Sequence, residues 1–174
     1  EFVELLWFLA AADGEVTQDE KTKIAELASD FKGVFPECGE TIERECIGRM
    51  EEGSREFGWL NTAKMEALNT LKELQATEQE KKMLCWNLFA VANSDELSDE
   101  EVDYIRFVSE KAGVDTAVIE ELGSYSNAII ELGNARNQLQ TSNRTYKEIQ
   151  PLICELTNRE QVIIEVAQAL IADK

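Results

Sequence analysis

The chain contains no histidine. That absence removes Ser-His-Asp and Cys-His nucleophile activation, and it removes imidazole metal ligands. Any metal must bind through carboxylates, amides, hydroxyls, carbonyls or thiolates. Proline is scarce, with Pro36 and Pro151 alone, and no run of alternating Val, Thr and Ile argues for a strand. The four cysteines, Cys38, Cys46, Cys85 and Cys154, form no Cys-x-x-Cys pair. A structural zinc site needs closer pairing, so they read as buried free thiols in a reducing, cytoplasmic setting. No apolar run approaches the ~20 residues of a membrane span, and residues 1–12 are too short for one. Basic residues are outnumbered, 17 Lys and Arg against 35 Asp and Glu, which leaves a formal net charge of −18. Such a field repels phosphate backbones and anionic lipid surfaces and argues against nucleic-acid binding, while the short apolar runs argue against direct membrane insertion. Cations and basic protein surfaces are its natural ligands. The first residue is Glu1 rather than Met, so a longer protein with a targeting signal stays open.

What is present is helix, and part of it is written twice. Ala10–Val34 and Val91–Val114 each read as an apolar helix end, an acidic loop, a Ser or Thr cap, an amphipathic helix and a Gly-Val stop. A fixed shift pairs Phe8 with Phe89, Ala11 with Ala92, Glu15 with Glu96 and Val16 with Leu97. It also pairs Thr17 with Ser98, Glu20 with Glu101, Ile24 with Ile105 and Leu27 with Val108. Two helical hairpins about a pseudo-twofold axis are expected, with both acidic loops at one end. At 174 residues and 44% hydrophobic, the chain can bury a real core as one domain with an appendage.

Helix starts are well marked. Thr17-Gln18-Asp19-Glu20, Thr77-Glu78-Gln79-Glu80, Ser98-Asp99-Glu100-Glu101 and Thr157-Asn158-Arg159-Glu160 all fit the capping box, in which hydroxyl and carboxylate each satisfy an orphan amide. Gly33-Val34 and Gly113-Val114 fit left-handed glycine stops. Helices are predicted over 2–12, 17–32, 38–52, 59–75, 78–93, 98–112 and 115–122. The first and fifth are apolar nearly all round, which places them centrally, with Trp7 and Trp86 in the core. Leu60, Ala63, Ala67, Leu71 and Leu74 form one stripe, as on a helix at the bundle surface.

After Gly123 the composition shifts toward Asn, Gln and Ser. Ala128, Leu132, Ala135, Leu139, Ser142, Tyr146, Ile149, Ile153 and Leu156 follow heptad spacing. Pro151 is expected to interrupt any continuous helix there, and Thr141-Ser142-Asn143 reads as a turn. A hairpin folding back on the bundle is favoured over a dimeric coiled coil. A last helix is predicted over Asn158–Ala172. The division is therefore a helical domain over 1–123 and a helical extension over 124–174, which packs on it or mediates association.

The acidic loop from Asp13 to Glu20 matches the second half of an EF-hand. The first half fails, because Leu9 and Ala11 stand where the first carboxylates belong. What Ala12-Asp13-Gly14-Glu15-Val16-Thr17-Gln18-Asp19-Glu20 resembles is the TerB-like tellurite-resistance family, in which an apolar helix ends in Ala-Asp-Gly before an apolar residue, a Ser or Thr and an acidic helix start. Asn93-Ser94-Asp95-Glu96-Leu97-Ser98-Asp99-Glu100-Glu101 is a degenerate second copy, and the resemblance covers about residues 2–122. It implies an all-α bundle with internal symmetry and a non-enzymatic role in resistance to tellurite and other stresses. It also implies divalent-cation binding and a protein partner in a membrane-associated complex. Carried over, the candidate metal ligands are Asp13, Glu15, Glu20, Asp95, Glu96 and Glu101. An all-oxygen set favours calcium, magnesium or manganese over zinc. Ser94, opposite Asp13 in the overlay, departs from a symmetric two-site scheme.

The same carboxylates also suit helix caps and the helix macrodipole without any metal. The alternative is therefore a structural interaction or dimerisation module, whose tail docks a partner or a second copy. No phosphate loop, nucleophile motif or singled-out carboxylate pair argues for an enzyme.

Overall fold

The computed structural model describes residues 1–29 and 35–173. The Gly33-Val34 stop and the Cys38 thiol lie outside the described residues. Eight helices follow in order: α1 (Phe2–Ala10), α2 (Gln18–Ser29), α3 (Phe35–Phe57), α4 (Trp59–Glu73), α5 (Glu78–Ala92), α6 (Asp99–Ala112), α7 (Thr116–Gln140) and α8 (Tyr146–Ala172). Among the described residues there is no strand, and no helix is long and apolar enough to cross a membrane.

Helix α1 forms the centre. Every residue from Leu5 to Ala10 is buried, and α1 packs against α2, α3, α4, α5 and α6. Each large apolar side chain so buried contributes roughly 1.5–3 kcal/mol. Its repeat partner α5 buries Leu84, Cys85, Leu88, Val91 and Ala92. The pairing is visible in the packing. As α1 meets α2 and α3, α5 meets α6 and α7, and the cross-contacts α1 on α6 and α5 on α2 are both present. The shift that pairs Phe8 with Phe89 also pairs Gln18, which opens α2, with Asp99, which opens α6. It pairs Phe35, which opens α3, with Thr116, which opens α7. The repeat therefore reaches one helix further than the motif.

Helix α4 lays Ala63 and Ala67 into the core, with Leu60, Leu71 and Leu74 half-buried beside them, as the stripe predicts. One polar link crosses the core: the Tyr104 hydroxyl donates to the Leu5 carbonyl at 3.0 Å, fully buried. Tyr104→Phe should cost about 1 kcal/mol, read as a lower urea midpoint at unchanged slope. An unchanged midpoint would mean that the bond contributes nothing net.

Four expectations for the second half need correction. Gly123 does not end a helix; α7 runs through it, because the glycine lies under the Phe89 ring, where an added Cβ would come within 2.8 Å. Thr157 caps nothing. It sits inside α8, and its hydroxyl donates back to the Ile153 carbonyl at 3.0 Å. The working cap is Thr145, whose amide and hydroxyl both reach Glu148 Oε2. Pro151 does not break α8, which carries it in the second turn. Cys154 is exposed, whereas Cys46 and Cys85 are buried thiols. The heptad seam is thus split by a turn at 141–145 into two antiparallel helices, and this hairpin lies back on α5.

Candidate functional site

The two acidic loops follow α1 and α5 and are built alike. In the first, the Gly14 amide donates to the Ala11 carbonyl at 3.2 Å, and Asp13 Oδ1 accepts from the Glu15 amide at 2.9 Å. Gly14 takes φ +96°, and its Cα faces the Trp59 ring so closely that a Cβ would lie 2.9 Å from it. The second loop turns without a left-handed residue. There Ser94 donates to the Val91 carbonyl from both its amide, at 2.9 Å, and its hydroxyl, at 2.7 Å.

Each loop then ends in the same reciprocal cap. Glu20 Oε2 accepts from the Thr17 amide at 2.8 Å and the Thr17 hydroxyl at 3.0 Å. Glu101 Oε2 accepts from the Ser98 amide at 2.8 Å and the Ser98 hydroxyl at 2.9 Å. Ordinary capping glutamates remain solvated; these two do not. Each is 2% exposed, whereas the capping Glu80 is in full solvent contact.

Burial raises the pKa of Glu20 to about 7 against the pull of the Thr17 bonds, and the negative charges of Asp95 and Glu101 push it further. Burial likewise raises Glu101, with Asp13 and Asp95 adding to the rise. Glu20 feels Asp95 and Glu101 of the second loop and Glu101 feels Asp13 of the first, so the two loops lie within electrostatic reach of each other. Of the sequence candidates, Asp95 and Glu101 act on Glu20, and Asp13 and Asp95 act on Glu101. Glu15 and Glu96 are exposed and take no part in this. Among the described residues, no three acidic or cysteine side chains are arranged to hold a metal ion. Among the described residues, the bonds that hold the Glu20 and Glu101 carboxylates in place run to Oε2.

Sequence reasoning missed Trp59, which opens α4 and pins the first loop through Gly14. The contact joins residues far apart in the chain, and no local pattern marks it. The family model described as tellurite resistance protein TerB matches residues 2–123. No curated protein and no solved structure matches the chain.

Proposed function

This chain belongs to the TerB tellurite-resistance family, and from that premise we propose that it is a non-enzymatic stress-response module whose paired acidic loops bind a divalent cation and present a surface to a protein partner. One observation carries the reading. Two capped glutamates, one from each repeat, are buried within repulsive range of each other and of two loop aspartates. Two buried carboxylates beside the charges of exposed Asp13 and Asp95 are costly to ionise, and a bound cation would relieve that cost as protonation does.

The donor chemistry fits calcium, magnesium or manganese, since all the side chains offer oxygen. Glu20 and Glu101 would supply Oε1 from fixed positions. Asp13 and Asp95, both exposed, would turn inward to complete the set. The bound ion would supply positive charge that ties the two loops together, with no reaction. Thr17 and Ser98 hold the carboxylates in register, and Trp59 holds the loop that carries Asp13. The net charge of −18 suits a basic surface on the partner, in the membrane-associated complex that family resemblance implies.

A second reading is a structural interaction module whose acidic loops are caps alone. The absence of a metal-ready group among the described residues favours it. Thermal unfolding with calcium, magnesium, manganese and zinc, beside a potassium control, separates the two. Free ion at ten times its dissociation constant adds about 1.4 kcal/mol, a rise of roughly 3–5 °C at this chain length. The cation reading expects that rise for one divalent ion, saturable and lost in Asp95→Asn. A small rise common to all ions is charge screening and removes the cation from the account.

A further inference from the structure

The α7–α8 hairpin is half a packing unit. Helix α4 lies on α3, α1 and α6, whereas α8, its counterpart in chain order, meets among the described residues only α7 and α5. Burial in α7 ends at Ser126. Beyond that point the seam residues Leu132, Leu139, Ile153 and Leu156 are only half-buried, as two helices without a third layer leave them. An open groove of about 700 Å³ runs between the helices past Ala128, Leu132 and Val162, and a second of about 540 Å³ continues it. Both are lined by Glu155 and Arg159. Among the described residues, four of the eight large apolar side chains that stand exposed are on α8: Tyr146, Leu152, Val162 and Val166.

Charge narrows the choice of occupant. Residues 124–174 hold five of the 17 basic and six of the 35 acidic residues, a net charge of −1. The remaining −17 lies in residues 1–123. A strongly basic partner would be drawn to the bundle, while the near-neutral hairpin meets another near-neutral hairpin with far less repulsion than two bundles would. The pattern along α8 is also its own complement. Glu155 and Arg159 stand equally far on either side of Thr157, and so do Leu152 and Val162. In a twofold contact, residue i of one copy meets residue j of the other and the reverse.

We propose that this hairpin docks a second copy of the chain, α8 against α8, antiparallel about a twofold axis at Thr157. Glu155 of each copy then meets Arg159 of the other, and Leu152 meets Val162. The Glu155–Arg159 ion pair within one helix becomes a four-residue network across the axis. The apolar groove closes on both sides of it.

Sedimentation velocity over roughly 1–200 µM tests this on the whole chain, with circular dichroism as the check on folding. The wild type is expected to dimerise, and Val162→Glu should weaken association at least about tenfold at unchanged helicity. Glu155→Arg and Arg159→Glu should each be monomeric alone, since each places like charges on both sides of the axis. Mixed one to one, they should form a heterodimer, because every contact across the axis is then Arg to Glu. A wild type that stays monomeric over the whole range overturns the proposal and leaves the groove to another occupant. So does a dimer indifferent to these substitutions, or a mixture that fails to pair.

Discussion

Gly14→Ala should lower the unfolding free energy by about 2–5 kcal/mol, the largest effect expected of any loop substitution here. Two costs combine. At φ +96° an alanine pays roughly 1–2 kcal/mol that glycine does not. Its Cβ would also lie 2.9 Å from the Trp59 ring, so the ring or the loop must move, at about 1–3 kcal/mol. The melting temperature should fall by roughly 10 °C. Trp59→Leu separates the two. In that background the alanine should cost only its backbone share, and the double-mutant cycle should show positive coupling. An equal cost in both backgrounds would mean that Trp59 does not pin the loop.

The second large effect is a dependence of stability on pH with an unusual sign. Glu20 titrates near 7 in the folded protein and near its ordinary value when unfolded, so between about 4.5 and 7 the folded state binds the extra proton. Its contribution is therefore fully present below the unfolded pKa and is lost as pH rises through the folded one. Glu101 is raised too and adds with the same sign. The shift of Glu20, discounted for the water that reaches the loop end, amounts to about 2 kcal/mol. The chain should melt several degrees higher at pH 5.5 than at pH 8. The capping residues Glu80 and Glu148 have lowered pKa values, and their contribution fails only at more acid pH. With no histidine in the chain, little else titrates in this window. Glu20→Gln keeps an oxygen to accept the Thr17 bonds and removes the charge. It should equal the wild type near pH 5.5, exceed it at pH 8 and flatten the slope. A wild-type profile that rises with pH would contradict the burial of Glu20.

The first six helices were legible because their signals are local and agree with one another. Thr17, Thr77 and Ser98 each stand three residues before a glutamate, and each caps the helix it marks. Gly113 takes the left-handed conformation expected of a stop, with Val114 buried after it. The hairpin was misread where local signals are ambiguous. Thr157 and Glu160 have the spacing of a capping box, but a mid-helix threonine can satisfy its hydroxyl on the preceding turn, and four residues do not distinguish the two. Gly123 reads as a break in one dimension, and only the Phe89 ring shows why a glycine belongs inside a helix there.

At the candidate site the acidic residues were evident, but their inequality was not. Glu15 and Glu20 are both loop-end glutamates in sequence, yet the folded chain leaves the first in solvent and buries the second. The repulsion of Glu20 by Asp95 and Glu101 exists only once the two repeats pack together.

Carbon-13 NMR of the glutamate side-chain carboxyls, followed from pH 4 to 9 and assigned with Glu20→Gln, reads the protonation of Glu20 itself. The account predicts one carboxyl titrating near 7 in the apo protein, shifting to lower pH when the divalent ion that raises the melting temperature is added. A Glu20 resonance that titrates in the ordinary carboxylate range and ignores every divalent ion would contradict it.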